Sequence, residues 1–196
     1  MRIIGGIAGG VLIKAPKGFD VRPTPDLMRQ AVFNSLGARV QGARVLELFA
    51  GTGALSLECL SRGATSALCV EKSARHASFI RGNREQSRLP AETLAIRVQD
   101  AFTAIAQLAA ERQQFDLVLA DPPYGEKNVG RRSTSLAQQL LDHPVLPELL
   151  RDGGLFILGH ARRDTVSVPP QWQDERTLKH GDNMMRFLSR AAHNNS

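Results

Sequence analysis

Cysteine is nearly absent. The chain of 196 residues holds two, Cys59 and Cys69, at a spacing that fits neither a metal site nor a redox pair. That excludes a disulfide framework, a zinc finger and a thioredoxin-type centre, and leaves two small reduced core residues. His76, His143, His160 and His180 share no metal-ligand spacing either, so no metal is expected. No stretch reaches the roughly 20 uncharged apolar residues of a membrane span. The N-terminus lacks the charged, apolar and small-residue succession of a signal peptide, and a cytoplasmic protein is expected.

Two phosphate-binding signatures are missing as well. No Gly-Lys-Ser or Gly-Lys-Thr triplet is present, which removes the P-loop. A glycine pair does follow an aliphatic run in Val45-Leu46-Glu47-Leu48-Phe49-Ala50-Gly51-Thr52-Gly53-Ala54, but the third glycine of a dinucleotide fingerprint is replaced by Ser56. Gly51 and Gly53 supply the backbone freedom of a ligand-binding turn, and the helix beginning at Ala54 would point its N-terminus at whatever lies above it. A nucleoside-type site remains. A carboxylate for ribose hydroxyls is expected about 20 residues further on, and Glu71 stands there at the end of Ala67-Leu68-Cys69-Val70.

Charge is unevenly spread. Twenty-five Lys and Arg against nineteen Asp and Glu give +6 and a pI near 10.0. Residues 1–40 hold six basic side chains and two acidic ones, a net +4. A basic arm beside a near-neutral body suits a polyanion, because neutralising phosphates supplies most non-specific affinity.

Hydrophobic periodicity organises the rest. Arg2 to Ile13 reads as a glycine-rich hairpin pairing Ile3-Ile4 with Val11-Leu12-Ile13. Thr24 is a natural N-cap with Pro25 at the first helical position, for a helix that turns Leu27, Met28, Ala31, Val32 and Leu36 inward and Arg29 elsewhere, ending near Gly37. From residue 43 strands and helices alternate: strand 44–49, helix 54–62, strand 66–71, helix 73–87, strand 93–98, helix 102–111 and strand 115–120. A helix at 133–141 and strands at 154–158, 173–180 and 184–190 complete it. This pattern predicts an α/β fold: a doubly wound, mostly parallel seven-stranded sheet over residues 41–192, with a small hairpin-plus-helix extension over residues 1–40. Ligands of such sheets bind above the strand C-termini, at the switch in strand order. Glu47, Glu71, Asp100 and Asp121 all fall on or just past successive strands.

The second informative stretch is Asp121-Pro122-Pro123-Tyr124. A nucleobase amine is a poor nucleophile because its lone pair is delocalised into the ring. Asp121 and the Pro122 carbonyl can accept both amine protons and turn the nitrogen outward, while the prolines hold that carbonyl in place. Tyr124 can stack on an extruded or unpaired base.

These motifs together resemble the class I S-adenosylmethionine-dependent methyltransferases, across roughly residues 43–190. The resemblance implies that Glu47, Phe49, Ala50, Gly51 and Gly53 hold the methionine part of S-adenosyl-L-methionine. It further implies that Glu71, beside Lys72, takes the ribose hydroxyls, and that Asp100, Ala101 and Phe102 take the adenine. Carboxylates suit vicinal hydroxyls and an exocyclic amine, and a negative pocket favours a sulfonium over a pyrophosphate.

Arg2-Ile3-Ile4-Gly5-Gly6, Arg22-Pro23-Thr24, Arg29, Phe33-Asn34, Leu48 to Leu55 and Leu60-Ser61-Arg62-Gly63-Ala64, taken with Asp121 to Tyr124, are more specific. They resemble the bacterial enzymes that methylate N2 of a guanine in 16S ribosomal RNA. That resemblance implies an enzyme with Asp121, Pro122, Pro123 and Tyr124 as its catalytic loop and ribosomal RNA in an assembling small subunit as its partner; a monomer is expected. Arg2, Arg22, Thr24 and Arg29 would be RNA contacts, with Arg131 and Arg132 as added phosphate ligands. Two positions depart from that family. Ala8-Gly9-Gly10 stands where an arginine pair is usual, and Gly159-His160 follows Leu158 where the fifth strand usually ends in an acid. His160 is read as a satisfied structural residue, and Trp172 as packing. Three other readings stay open on the residues: methylation of adenine N6 or of a glutamine amide, a non-catalytic RNA-binding assembly factor, and an NAD-dependent oxidoreductase.

Overall fold

Five short aliphatic runs make the centre of one sheet in the structure, a computed structural model that describes residues 1–16, 25–125, 127 and 131–192. They are β1 (Arg44–Leu48), β2 (Ser66–Glu71), β3 (Leu94–Val98), β4 (Phe115–Ala120) and β5 (Leu150–Ala161), all mutually parallel. β6 (Trp172–His180) and β7 (Asn183–Arg190) form a hairpin whose β7 runs antiparallel to β5. The order is β3-β2-β1-β4-β5-β7-β6. The expected seven-stranded, mostly parallel sheet is therefore present.

Side chains alternate between the two faces because strand residues point to opposite sides in turn. Val45, Leu117, Leu119 and Ile157 join one cluster with the helices α1 (Asp26–Leu36), α2 (Ala54–Ser61) and α3 (Ala74–Ser87). Leu46, Leu48, Val118, Ala120, Phe156 and Leu158 join the other, against α4 (Ala101–Ala110) and α5 (Leu136–Asp142). Both faces are covered, so the central strands are apolar on both sides.

Strand order reverses at β1, which pairs with β2 on one side and β4 on the other. Leu48 lies beside Ala120 in that register, so Phe49 and Asp121 leave the sheet as neighbours at the crevice where such folds bind ligands.

Three expectations are corrected. α1 starts at Asp26 with Pro25 in the cap position, one residue later than expected, and Thr24 lies outside the described residues. Within α1, Leu27 is exposed while Phe33 and Arg29 are buried. β5 runs from Leu150 rather than 154, because its register shifts opposite β4 between Phe115 and Leu117 and Gly153 adopts a positive φ of 75°. A bulge lets pairing continue through Arg151-Asp152-Gly153, a stretch with no strand-like alternation.

Residues Met1 to Ile13 form the expected hairpin, with Arg2 bridging Leu12 and hydrogen bonds from Ile3 N to Val11 O, Gly10 N to Ile3 O and Ile13 N to Met1 O. Ile3, Ala8 and Ile13 belong to the same apolar cluster as α1, α2 and β1.

Candidate active site

The glycine turn is built under backbone strain. Phe49 has φ 56°, a left-handed conformation rare for an aromatic residue, followed by Gly51 at φ 55° and Gly53 at φ 74°. A Cβ on Gly53 would lie 2.8 Å from Ile80 Cγ2, so only glycine lets α3 pack against the turn. Glu71 fastens it: Oε2 accepts from Gly51 N at 2.8 Å and Oε1 from Ser73 N at 2.8 Å.

Glu47 acts from below. It is buried, and its carboxylate accepts from Ser56 N at 2.9 Å and Leu55 N at 3.4 Å, at the N-terminus of α2. Burial pushes its pKa up to about 7, against the opposing pull of those hydrogen bonds. Glu47 therefore holds the helix start beneath the turn instead of lining the crevice.

Above the turn lies a cavity of about 300 Å³, lined by Phe49, Gly51, Glu71, Lys72, Asp100, Ala101 and Phe102 among others. Seven of the ten residues expected to hold a cofactor thus converge on it, while Glu47, Ala50 and Gly53 shape it from behind. Asp100 caps α4 through Phe102 N at 3.0 Å, and its other oxygen is 3.6 Å from Lys72 Nζ. Phe102 meets Phe49 edge-on at 6.1 Å and stacks on His143 at 6.1 Å, and burial lowers the His143 pKa. A neutral aromatic wall and two carboxylates suit a nucleoside, with the carboxylates as acceptors for a diol and an amine. His76, Gln99 and Leu136 also line the cavity. His76 was readable from its place three residues into the helix capped by Ser73, and Gln99 from its place before Asp100.

The loop after β4 joins this cavity to a second. Asp121 and Pro123 line the first; Pro123, Tyr124, Gly125, Lys127, Arg131 and Arg132 line an adjoining one of about 550 Å³. Tyr124 does not line the nucleoside cavity. Its hydroxyl donates to Asn183 Oδ1 at the start of β7, which fixes the ring beside the second cavity. Asp121 sits against Gly159 of β5, where a Cβ would stand 2.2 Å from its Oδ1. Gly159, noted in the sequence only as a departure, is what makes room for the carboxylate.

His160, the next residue, is buried and internally satisfied. Nδ1 donates to the Ala161 and Asp164 carbonyls at 3.0 and 3.1 Å, while Nε2 accepts from Arg186 Nε at 3.1 Å. Burial and the Arg186 charge lower its pKa. The structural reading of His160 fits this geometry, as does packing for Trp172, which lies 5.2 Å from the Phe156 ring.

The hairpin is clamped onto α2. Buried Glu58 accepts from Ile4 N at 2.6 Å and Gly5 N at 2.9 Å, and pairs with Arg62 at 2.6 Å. Ser61 bonds Ala8 N and the Gly5 carbonyl. Arg2 is exposed, but Arg29 is only 1% exposed. The expectation that Arg29 touches RNA is corrected: its Nη2 donates to the Arg2 carbonyl at 2.6 Å and to Asp26 at 2.7 Å, tying α1 to the hairpin. Arg22 and Thr24 lie outside the described residues. Among the described residues no cluster of metal-ligating side chains occurs, and no helix is long and apolar enough to cross a membrane.

This sheet order, the strained turn under a nucleoside-sized cavity and the Asp-Pro-Pro-Tyr loop at its rim define a class I S-adenosylmethionine-dependent methyltransferase. The chain belongs to the family described as "Conserved hypothetical protein 95", whose pattern matches residues 1–189. It is 30% identical over 169 residues to the Bacillus subtilis protein named "Putative rRNA methyltransferase YlbH", covering 86% of each chain. It is 29% identical over 203 residues to ribosomal RNA small subunit methyltransferase D of Escherichia coli, covering 100% of this chain and 93% of that one. The solved structure of the yhhF protein of Escherichia coli superposes with a TM-score of 0.77 at 28% identity, over 98% of this chain and 99% of the other.

Proposed function

We propose that this chain transfers a methyl group to the exocyclic N2 amine of a guanine in small-subunit ribosomal RNA, acting as a monomer on an assembling particle. The observation that carries the reading is Asp121-Pro122-Pro123-Tyr124 standing between a nucleoside-sized acidic cavity and a basic one. S-adenosylmethionine, when bound in the first cavity, supplies an electrophilic methyl on a cationic sulfur, so the acceptor amine needs no strong base.

The side chains divide the work. Each Glu71 oxygen already accepts one backbone amide and keeps further lone pairs for ribose hydroxyls. Asp100 accepts the adenine amine, with Phe49 and Phe102 against the ring. Asp121 and the Pro122 carbonyl accept the two protons of the guanine amine and hold its nitrogen toward the crevice, which supplies orientation; the proton that the methylated nitrogen sheds passes through Asp121 to solvent. Tyr124, anchored by Asn183, offers a fixed face for stacking. Lys127, Arg131 and Arg2 meet phosphates, as do Arg22 and Thr24, while Arg132 is already paired with Asp142 at 2.7 Å. Glu47, Gly159, Glu58 and Arg29 are positioning residues: they set the turn, the carboxylate and the hairpin.

The test is transfer of labelled methyl groups to free 16S RNA and to small-subunit particles from a strain lacking this protein, followed by nucleoside digestion. Labelled N2-methylguanosine is the expected product. Label in N6-methyladenosine or in protein would overturn the reading.

A further inference from the structure

The acceptor base must be told from its competitors, and the position at the end of β5 where the resembling family usually has an acid holds Gly159 and His160, both committed elsewhere. A carboxylate nevertheless stands three residues past that strand, at the same edge of the sheet as Asp121. Asp164 is 1% exposed. Its Oδ1 accepts from the Ser133 hydroxyl, while Ser133 Oγ in turn accepts from Ser135 N at 3.2 Å. Its Oδ2 is buried and has no hydrogen-bond partner among the described residues.

That free oxygen lies against the catalytic loop. A Cβ on Gly125 would stand 3.1 Å from Asp164 Oδ2 and 2.4 Å from Ser135 Cβ. Gly125, Ser133 and Ser135 all line the basic cavity beside Tyr124. Gly125 lies between the cavity and the carboxylate beside Ser133 and Ser135, and it has no side chain to clear if a base edge presses inward.

We propose that Asp164 selects guanine at the acceptor site, its Oδ2 accepting the ring N1–H of the base whose amine is held by Asp121. This rests on the guanine reading above. A buried carboxylate oxygen without a donor favours a ligand that brings one. Guanine carries N–H groups at N1 and N2 side by side, whereas adenine presents a bare N1 lone pair that a carboxylate repels. The sheet brings Asp121 and Asp164 to adjacent strand ends, which suits two acceptors reading adjacent donors on one base edge.

The test uses full-length protein and RNA carrying guanine or 2-aminopurine at the methylated position. 2-Aminopurine keeps the amine and lacks N1–H. Wild-type protein is expected to prefer guanine by about 100-fold or more in kcat/KM, as a site built around a substrate N–H rejects analogues without it. Asp164→Asn should bring the guanine rate down toward the 2-aminopurine rate, leaving the latter and S-adenosylmethionine affinity within about two-fold of wild type. Ser133→Ala, which removes the partner of Oδ1 and the acceptor of Ser135 N but leaves Oδ2 in place, should keep the preference. Equal use of both bases by wild-type protein, or an undiminished preference in Asp164→Asn, overturns the proposal. The wild-type comparison stands even if the variant does not fold. Absence of any guanine methylation by wild-type protein sinks the guanine reading itself, and is scored separately.

Discussion

At Gly159 a single missing methyl group decides whether Asp121 can occupy its place, because a Cβ there would stand 2.2 Å from the carboxylate oxygen. Gly159→Ala should displace the acid that orients the amine while leaving Glu71 and Asp100, the acceptors of the nucleoside cavity, in place. Turnover is expected to fall about 100-fold, the usual cost of a misplacement near 1 Å, with S-adenosylmethionine affinity by calorimetry changed less than about three-fold. Equal loss of both would show that Asp121 carries cofactor binding as well as orientation of the amine. Glu47 makes a pH prediction at the same scale. Its pKa is raised from 4.5 to about 7 by burial, so the native state holds more protons than the unfolded chain between those values. Its contribution is full below pH 4.5 and is lost as pH rises through about 7, a span worth roughly 3 kcal/mol at about 1.4 kcal/mol per unit. His160, with its lowered pKa, runs the other way: its contribution is lost as pH falls. Subtracting the unfolding free energy of Glu47→Gln from that of wild type cancels His160, and the difference should turn against wild type between pH 5 and pH 8. Parallel curves would place Glu47 outside the buried carboxylate role.

Among the elements, the N-terminal hairpin is held less by its own ladder than by α2. Glu58→Gln keeps the shape but removes a charge that serves two backbone amides and Arg62. Charge-assisted bonds are the stronger ones, so a loss of about 2 kcal/mol is expected. Hydrogen exchange of the Ile4 and Gly5 amides should rise far more than that of β1 or β4 amides. Uniform acceleration would mean that hairpin and sheet open together. The same element shows how far the sequence could be read. Strands and helices from residue 43 onward were legible because aliphatic runs and glycine turns alternate at fixed spacing, and the hairpin because its glycines sit between two apolar pairs. What was not legible depended on contacts distant in sequence. Arg29 reads as a surface cation until the Arg2 carbonyl is seen beside it. Glu47 reads as a crevice acid until α2 claims it. β5 hid its first turn of pairing behind a bulge. The crevice itself was largely legible, since Glu71, Asp100 and Asp121 mark strand ends, whereas Asn183 and Asp164, which lie against Tyr124 and Gly125, come from the last third of the chain and carry no local motif.

For the whole molecule, charge is arranged on two opposite edges of the sheet. Lys127 and Arg131 stand at the cavity beside Tyr124, where strand C-termini and the catalytic loop meet. Arg39, Arg151, Arg176 and Arg190 surround a larger recess of about 640 Å³ at the β5 bulge, but acids share that recess, with Arg190 2.7 Å from Asp152 and Arg151 3.3 Å from Asp116. Cations already neutralised by carboxylates release few counterions when a phosphate arrives, so net charge alone does not locate the RNA. Binding of small-subunit RNA as a function of salt should separate the two edges. Lys127→Ala is expected to weaken binding and make the log–log salt slope shallower by about one unit. Arg190→Ala should leave the slope unchanged, since Arg190 is already paired with Asp152 and has no phosphate contact to lose. A shallower slope for Arg190→Ala and an unchanged one for Lys127→Ala would move the RNA to the opposite edge, away from Asp121.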